Sequence, residues 1–163
     1  MISGYSNHGM PLKLVVLAGS CGGLAEVVWV SAYANLAGIS SLEIARQVTA
    51  SVIPAAAGYA AAPLLGVLIH IALSVALGIG FSWFVWHRVF PQFGATALVP
   101  ASVATLALVW STNFFALLPL INPAFVTLLP LGATLASKLL FALAMAAVLR
   151  RALPVRAVAN GGT

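Results

Sequence analysis

The stretch GSCGGLAEVVW, residues 19–29, places three glycines and a glutamate inside an otherwise apolar run. Glu26 is one of only two acidic residues in the chain. Gly19, Gly22 and Gly23 precede it by seven, four and three residues, so in a helix they lie on or near the face that carries the carboxylate. Because small residues let a neighbouring backbone approach closely, we expect Glu26 to point into a contact between helices.

The composition around this stretch is that of a protein whose solvent is mostly lipid. Of the 163 residues, 63% are hydrophobic and only 6% are charged, and the mean hydropathy is +1.13. A water-soluble domain of this length needs far more charge on its surface. The net charge of +5 comes from scattered Lys and Arg residues that form no basic face, so we expect no nucleic-acid partner.

Four apolar runs are each long enough to cross a bilayer, which takes about 20 helical residues. We therefore predict an all-α integral membrane protein, a single domain built as a bundle of four transmembrane helices. The runs cover residues 14–37, 63–86, 95–118 and 125–149. The first is expected to be a retained span and not a cleaved signal peptide, since it is longer than a usual signal core and contains Glu26. Residues 154–163 are expected to form a flexible tail.

The segment between the first two spans has the pattern of a short amphipathic helix. Ser40 and Glu43 have the S-x-x-E spacing of a capping box, which predicts a helix start. Apolar residues then recur at helical spacing through residues 41–53. We predict an interfacial helix on the outer surface of the membrane, and the alternative is a lid or a docking element for a partner.

The positive charges predict how the bundle is oriented. With a cytoplasmic N-terminus, only Arg46 falls in an outer segment, near Glu43, and the cations outside the spans otherwise fall on the inner side. These inner cations are Lys13, Arg88, Arg150, Arg151 and Arg156. The positive-inside rule therefore predicts that both termini are cytoplasmic. The short loops and the richness in Ala, Leu and Val favour the inner (plasma) membrane of a bacterium.

Four polar residues inside the predicted spans are candidates for a functional site: Glu26, His70, Asn113 and Lys138. Ionisable groups at this depth are costly, and by default they face the bundle interior and have a partner. Glu26 lies about 18 Å and Lys138 about 17 Å from the inner end of its span at the helical rise. An ion pair is therefore geometrically possible if the first and fourth spans touch, with His70 slightly farther out and within reach through a water.

Two interpretations of the predicted pair remain open. It is a fixed bridge that sets how the helices dock, or a proton- or ion-handling site that uses Glu26, Lys138 and His70. A contact with a partner subunit, a lipid or a quinone is also open. We predict no metal, since Cys21 has no zinc-binding spacing around it. We expect no haem on this chain alone, since His70 and His87 lie 17 residues apart and hence at different depths.

The expected function is non-catalytic, because the sequence lacks aspartate and the P-loop, HExxH and GxSxG motifs. We predict an accessory or structural subunit of a larger membrane complex of the respiratory or photosynthetic type. Its partners would be the lipid bilayer and other membrane subunits or further copies of itself. The alternative is a small oligomeric transporter or a proton- or ion-conducting protein. A dry, closed contact around Glu26 favours the first hypothesis, and a cavity open to one side favours the second.

Overall fold

The computed structural model describes residues 10–152, and every regular element in that range is helical. Four helices in this range are long and apolar enough to cross a membrane, which confirms the predicted four-span helical bundle. A short amphipathic helix lies between the first two spans. In chain order the helices are α1 (Leu12–Leu36), α2 (Ser41–Val52), α3 (Ala62–Phe93), α4 (Ala95–Ile121) and α5 (Leu131–Leu149). The predicted tail at 154–163 and Arg156 lie outside the described residues.

Two helix ends differ from the predicted spans by more than three residues. α3 passes the predicted end at 86 and continues to Phe93 through a π turn at Val85–Val89. α5 begins at Leu131 and not at 125, and Pro123–Val126 forms a separate short helical turn. The cause is Pro130, because a proline disfavours helical backbone in the residue before it and lacks the N–H that a continuing helix needs. The fourth apolar run is therefore a short turn, a break and then a helix.

α1 and α5 form the centre of the bundle. α1 packs against both α3 and α5, and α5 packs in turn against α4. Because successive spans alternate in direction, one end of the bundle holds the start of α1 and the end of α5, and we call it the terminal end. The opposite end, which carries α2, is the α2 end.

α3 and α4 meet mainly at the terminal end of the bundle. There Val85 of α3 and Leu98 of α4 join one buried apolar cluster, together with Phe141 and Met145 of α5. Toward the α2 end the two helices are separated by a cavity. The closed terminal end and the open α2 end together position the site described below.

Glycines on α1 allow both neighbouring helices to approach closely. A Cβ atom at Gly19 would lie 2.6 Å from the backbone oxygen of Ser74 on α3. A Cβ atom at Gly23 would lie 2.6 Å from the Oγ of the same serine, and one at Gly22 would lie 2.6 Å from the ring of Phe141 on α5. Gly19 and Gly23 therefore face α3, and Gly22 faces α5. Glu26, about one turn after Gly22 and Gly23, lies where these three helices meet.

α2 packs against the first turns of α3. The carbonyl oxygen of Ala45 lies directly against Gly66, where any side chain would overlap it. Thr49 Oγ1 donates a hydrogen bond of 2.6 Å to the carbonyl oxygen of Ala62. Ile44 is buried in a second apolar cluster with residues of α1 and of the connection between α4 and α5. These contacts make α2 part of the bundle wall.

The start of α2 has the capping interactions that its sequence predicts. Ser40 Oγ accepts a hydrogen bond of 3.2 Å from the backbone N–H of Glu43. The Glu43 carboxylate also lies 3.3 Å from Nε of Arg46, one turn later. Both groups are partly exposed, so this pair contributes little to stability.

Candidate functional site: a buried ion pair at the end of a cavity

Glu26 and Lys138 form an ion pair between α1 and α5. The Nζ atom of Lys138 lies 2.6 Å from Oε1 and 2.7 Å from Oε2 of Glu26. Only 14% of the Lys138 side chain and 10% of the Glu26 side chain are exposed. Burial of two charges is costly, and close bidentate contact of this kind offsets the cost. The structure thus brings together the two charges that the sequence placed at one depth.

Small polar groups on α5 support the carboxylate of Glu26. Ser137 places its hydroxyl 3.2 Å from Oε1 of Glu26 and also donates to the carbonyl oxygen of Thr134 at 2.7 Å. Trp110 of α4 donates from its indole N–H to Thr134 Oγ1 at 2.9 Å. The sequence reasoning missed these residues, although Thr134, Ser137 and Lys138 lie at i, i+3 and i+4 on one face of α5. This polar face of α5 is the sequence pattern from which Thr134 and Ser137 could have been found.

His70 of α3 approaches the same carboxylate. Its Nε2 lies 3.7 Å from Oε2 of Glu26, which is too far for a hydrogen bond. Nε2 is buried, and within residues 10–152 it has no hydrogen-bond partner. Buried polar atoms without a partner are uncommon and costly, so this nitrogen marks a point where the site has unused hydrogen-bonding capacity. His70 also lies closer to the pair than its position in the sequence suggested.

The ion pair is open on one side to a cavity of about 450 Å³. Glu26, His70 and Lys138 all line this cavity and form its polar end. The remaining wall is mainly apolar, with Leu77 contributed by α3 and Val109 by α4. The cavity therefore lies in the space where α3 and α4 separate.

A second cavity of about 390 Å³ lies between α1, α2 and α3 and also reaches Glu26 and His70. Ile44 and Val48 of α2 line both cavities. α2 therefore borders both of the cavities that converge on the same carboxylate. Movement of α2 would change access to Glu26 from both.

Asn113 lines the larger cavity from α4. It is the first residue of a π turn, Asn113–Leu117, which interrupts the α-helical pattern of α4. Single π turns inside α-helices are frequent at functional sites, because they redirect side chains. The carboxamide gives this apolar wall one group that both donates and accepts hydrogen bonds. The structure thus places all four sequence-predicted polar residues around one cavity.

A cluster of hydrogen bonds joins α2 to the connection between α4 and α5 beside the cavity. Asn122, in the connection between α4 and α5, places Nδ2 2.9 Å from Oε1 of Gln47 and 3.0 Å from Oγ of Ser51, both on α2. Gln47 in turn donates to Glu43 at 2.8 Å. We call Asn122, Gln47 and Ser51 the α2 clamp. The sequence reasoning missed it, and its only local signal is a lone asparagine between two apolar residues and a proline.

The other histidine of the spans lies away from this site. His87 is in the π turn of α3 near the terminal end, where its Nδ1 lies 2.8 Å from the carbonyl oxygen of Trp83. Within the described range, no three His, Cys, Asp or Glu side chains are grouped so as to hold a metal ion. The cluster around Glu26 thus has one carboxylate, one amine and one imidazole.

No protein-family model, curated protein or solved structure shows a significant match to this chain.

Proposed function

We propose that this chain is a small membrane carrier, in which Glu26, Lys138 and His70 form the polar end of a binding cavity for a small molecule. One observation carries the proposal: a single cavity of about 450 Å³ is lined by all three groups. Small-molecule sites are typically cavities of about 300–1,000 Å³, mainly apolar, with a few convergent polar groups. The proposal belongs to the transporter class, and it assigns the chain no catalytic step.

The position of the pair favours a binding role over a purely structural bridge. A bridge that only fixes helix docking needs no open space beside it, whereas a binding site does. Here Gly22 and Phe141 close one side of α1 against α5, while the pair itself borders open space. A ligand in that space can reach the charged groups without separating α1 from α5.

The orientation and location of the protein are part of the same proposal. We place it in the inner (plasma) membrane of a bacterium with both termini cytoplasmic, because Lys13, Arg88, Arg150 and Arg151 all belong to the terminal end of the bundle. The cavity then lies toward the outer side of the membrane, beneath α2.

The test measures which compounds stabilise the purified protein in lipid nanodiscs, using a panel of small amphipathic and lipid-soluble molecules. Leu77→Trp fills the cavity, and Leu108→Trp adds the same bulk at an exposed position of α4. We expect at least one compound to raise the unfolding temperature of the wild type and of Leu108→Trp but not that of Leu77→Trp. The same compound is expected to exchange across the membrane of proteoliposomes that contain the protein. If no compound stabilises the protein, or if stabilisation never depends on Leu77, the carrier proposal is wrong.

A second candidate is an accessory subunit of a larger membrane complex, which the low burial of α4 favours. In an apolar stretch of 18 residues, only 11% of the residues of α4 are buried, compared with 39% of those of α5. Leu108 and Phe115 are among its exposed side chains. Mild purification from the source membrane tests this candidate: a stoichiometric membrane partner that covers α4 supports it, and a homogeneous particle containing this chain alone contradicts it.

A further inference from the structure

We infer that the ligand of this cavity is an uncharged, lipid-soluble molecule with a hydrogen-bond-accepting carbonyl head, the chemistry of an isoprenoid quinone, and that it enters from the bilayer between α3 and α4. The inference rests on the proposed function and names its ligand class. Four observations carry it: the position of the cavity mouth, the charge balance at the polar end, the unused donors there, and the aromatic walls.

The mouth of the cavity opens toward lipid. Four apolar lining residues are exposed: Val52 at the end of α2 (51%), Leu73 of α3 (57%), and Leu117 (48%) and Ile121 (58%) of α4. Leu73, Leu117 and Ile121 belong to helices that are long and apolar enough to span a membrane, so the opening between α3 and α4 is on their lipid-facing side. An apolar opening at this depth admits molecules that dissolve in lipid and disfavours hydrated ions.

The charges at the polar end cancel. Glu26 and Lys138 neutralise each other at 2.6 Å. A charged head of either sign would bring an uncompensated charge into a poorly solvated site whose own charges already cancel, and burial of an unpaired charge is costly. An uncharged head avoids this cost and leaves the pair intact.

Two hydrogen-bond donors at the polar end have capacity to spare. The ammonium group of Lys138 has three N–H donors, and its two contacts with Glu26 leave one of them free. Nε2 of His70 has no partner within residues 10–152, and the carboxylate of Glu26 3.7 Å away favours the tautomer in which this nitrogen carries the proton and donates. A carbonyl oxygen has two lone pairs and no proton, so it satisfies both donors. This complementarity favours a carbonyl head over a head that is mainly a donor.

The walls suit a flat ring with a second polar atom. Phe114, Phe125 and Phe141 line the cavity, and aromatic side chains pack well against ring systems. Asn113 offers a donor and an acceptor on the α4 wall of the same cavity. A quinone ring has carbonyl groups on opposite edges, so one can lie at the charged end and the other near Asn113. The tail then leaves through the mouth into lipid.

The test uses the full chain in nanodiscs and a radiolabelled 1,4-benzoquinone with a ten-carbon tail, displaced by excess unlabelled compound. Decanoate and decylammonium, which carry alkyl tails of nine and ten carbons, are the charged competitors. We expect saturable quinone binding, and competition by either charged compound at least tenfold weaker. His70→Phe is expected to weaken quinone binding about tenfold, since it leaves the ligand carbonyl without one donor.

Matched variants separate the ligand contact from a loss of folding. His87→Phe makes the same change at the terminal end and is expected to leave binding unchanged, and His70→Gln retains a donor and is expected to recover most of the affinity. Asn113→Leu is expected to weaken binding several-fold.

Each further outcome contradicts a specific part of the account. Preferential binding of decanoate or decylammonium that Leu77→Trp abolishes overturns the quinone-type ligand and leaves the carrier proposal standing. Saturable quinone binding that is indifferent to both His70→Phe and Asn113→Leu also overturns the inference. No saturable quinone binding, or quinone binding unaffected by Leu77→Trp, overturns the inference, and the carrier proposal is overturned with it only if no compound of the wider panel stabilises the protein in a Leu77-dependent way.

Discussion

Replacing Glu26 by Gln, or Lys138 by Met, removes one charge of the buried pair and leaves the other without its counter-ion. At a separation of 2.6 Å the attraction is about 6 kcal/mol for an effective dielectric constant of about 20. Desolvation of the two groups offsets much of this attraction, so the pair adds little net stability compared with two neutral residues. Loss of a single partner is different, because the desolvation penalty of the remaining charge persists.

We therefore expect each single variant to lower the free energy of unfolding by about 3–5 kcal/mol. Lys138→Met is expected to be the milder change, because the Ser137 hydroxyl remains 3.2 Å from the carboxylate. The double variant Glu26→Gln/Lys138→Met should lose less stability than either single variant. The coupling energy in this double-mutant cycle is expected to exceed about 2 kcal/mol.

The assay is reversible unfolding of all four proteins in the same bicelles. Glu43→Gln is the matched control, because it removes the partly exposed partner of Arg46, and a loss below about 1 kcal/mol is expected. If the two single losses add in the double variant, the pair is not energetically coupled, and the reasoning from its burial is refuted.

Three further variants test other parts of the structure. Gly19→Ala places a Cβ 2.6 Å from the Ser74 backbone, so overpacking should lower the free energy of unfolding by about 1–3 kcal/mol. Gly132→Ala, with open space around it, should lower it by nothing, and equal losses would contradict the close approach of α1 and α3. Asn122→Ala breaks the α2 clamp, so a cysteine introduced at Val48 should react faster with a water-soluble thiol reagent in this variant than in the matched control Thr127→Ala. Equal reaction rates in the two variants would show that the clamp does not cover the cavity. Trp110→Phe removes the hydrogen bond to Thr134 and should lower the free energy of unfolding by about 1 kcal/mol. Trp83→Phe, at an exposed position, should leave it almost unchanged, and equal effects of the two variants would contradict the inward orientation of Trp110.

The number of spans was predictable because it depends on the length of apolar runs, which is a local property. The common depth of Glu26 and Lys138 in the membrane was predictable, because the helical rise converts residue number into height along a span. The start of α5 was not predicted correctly, because a hydropathy pattern does not register the break that Pro130 causes in an apolar segment.

The cavity could not be derived from the sequence in the same way. It depends on where α3 and α4 diverge, which is set by packing at the terminal end among residues such as Val85 and Leu98. The α2 clamp joins residues more than 70 positions apart, such as Asn122 and Ser51. Contacts of this range follow from the three-dimensional packing of the helices and leave almost no local pattern in the sequence.

The central claim is that α3 and α4 separate beside the ion pair and leave a cavity there. Cross-linking with a short bifunctional thiol reagent tests it directly in native-like membranes, in a Cys21→Ala background. A cysteine pair at Val85 and Leu98, where the two helices meet, should cross-link efficiently, and a pair at Leu77 and Val109, on the cavity walls, should not. Efficient cross-linking of both pairs would mean that α3 and α4 pack along their whole length, and it would contradict the account.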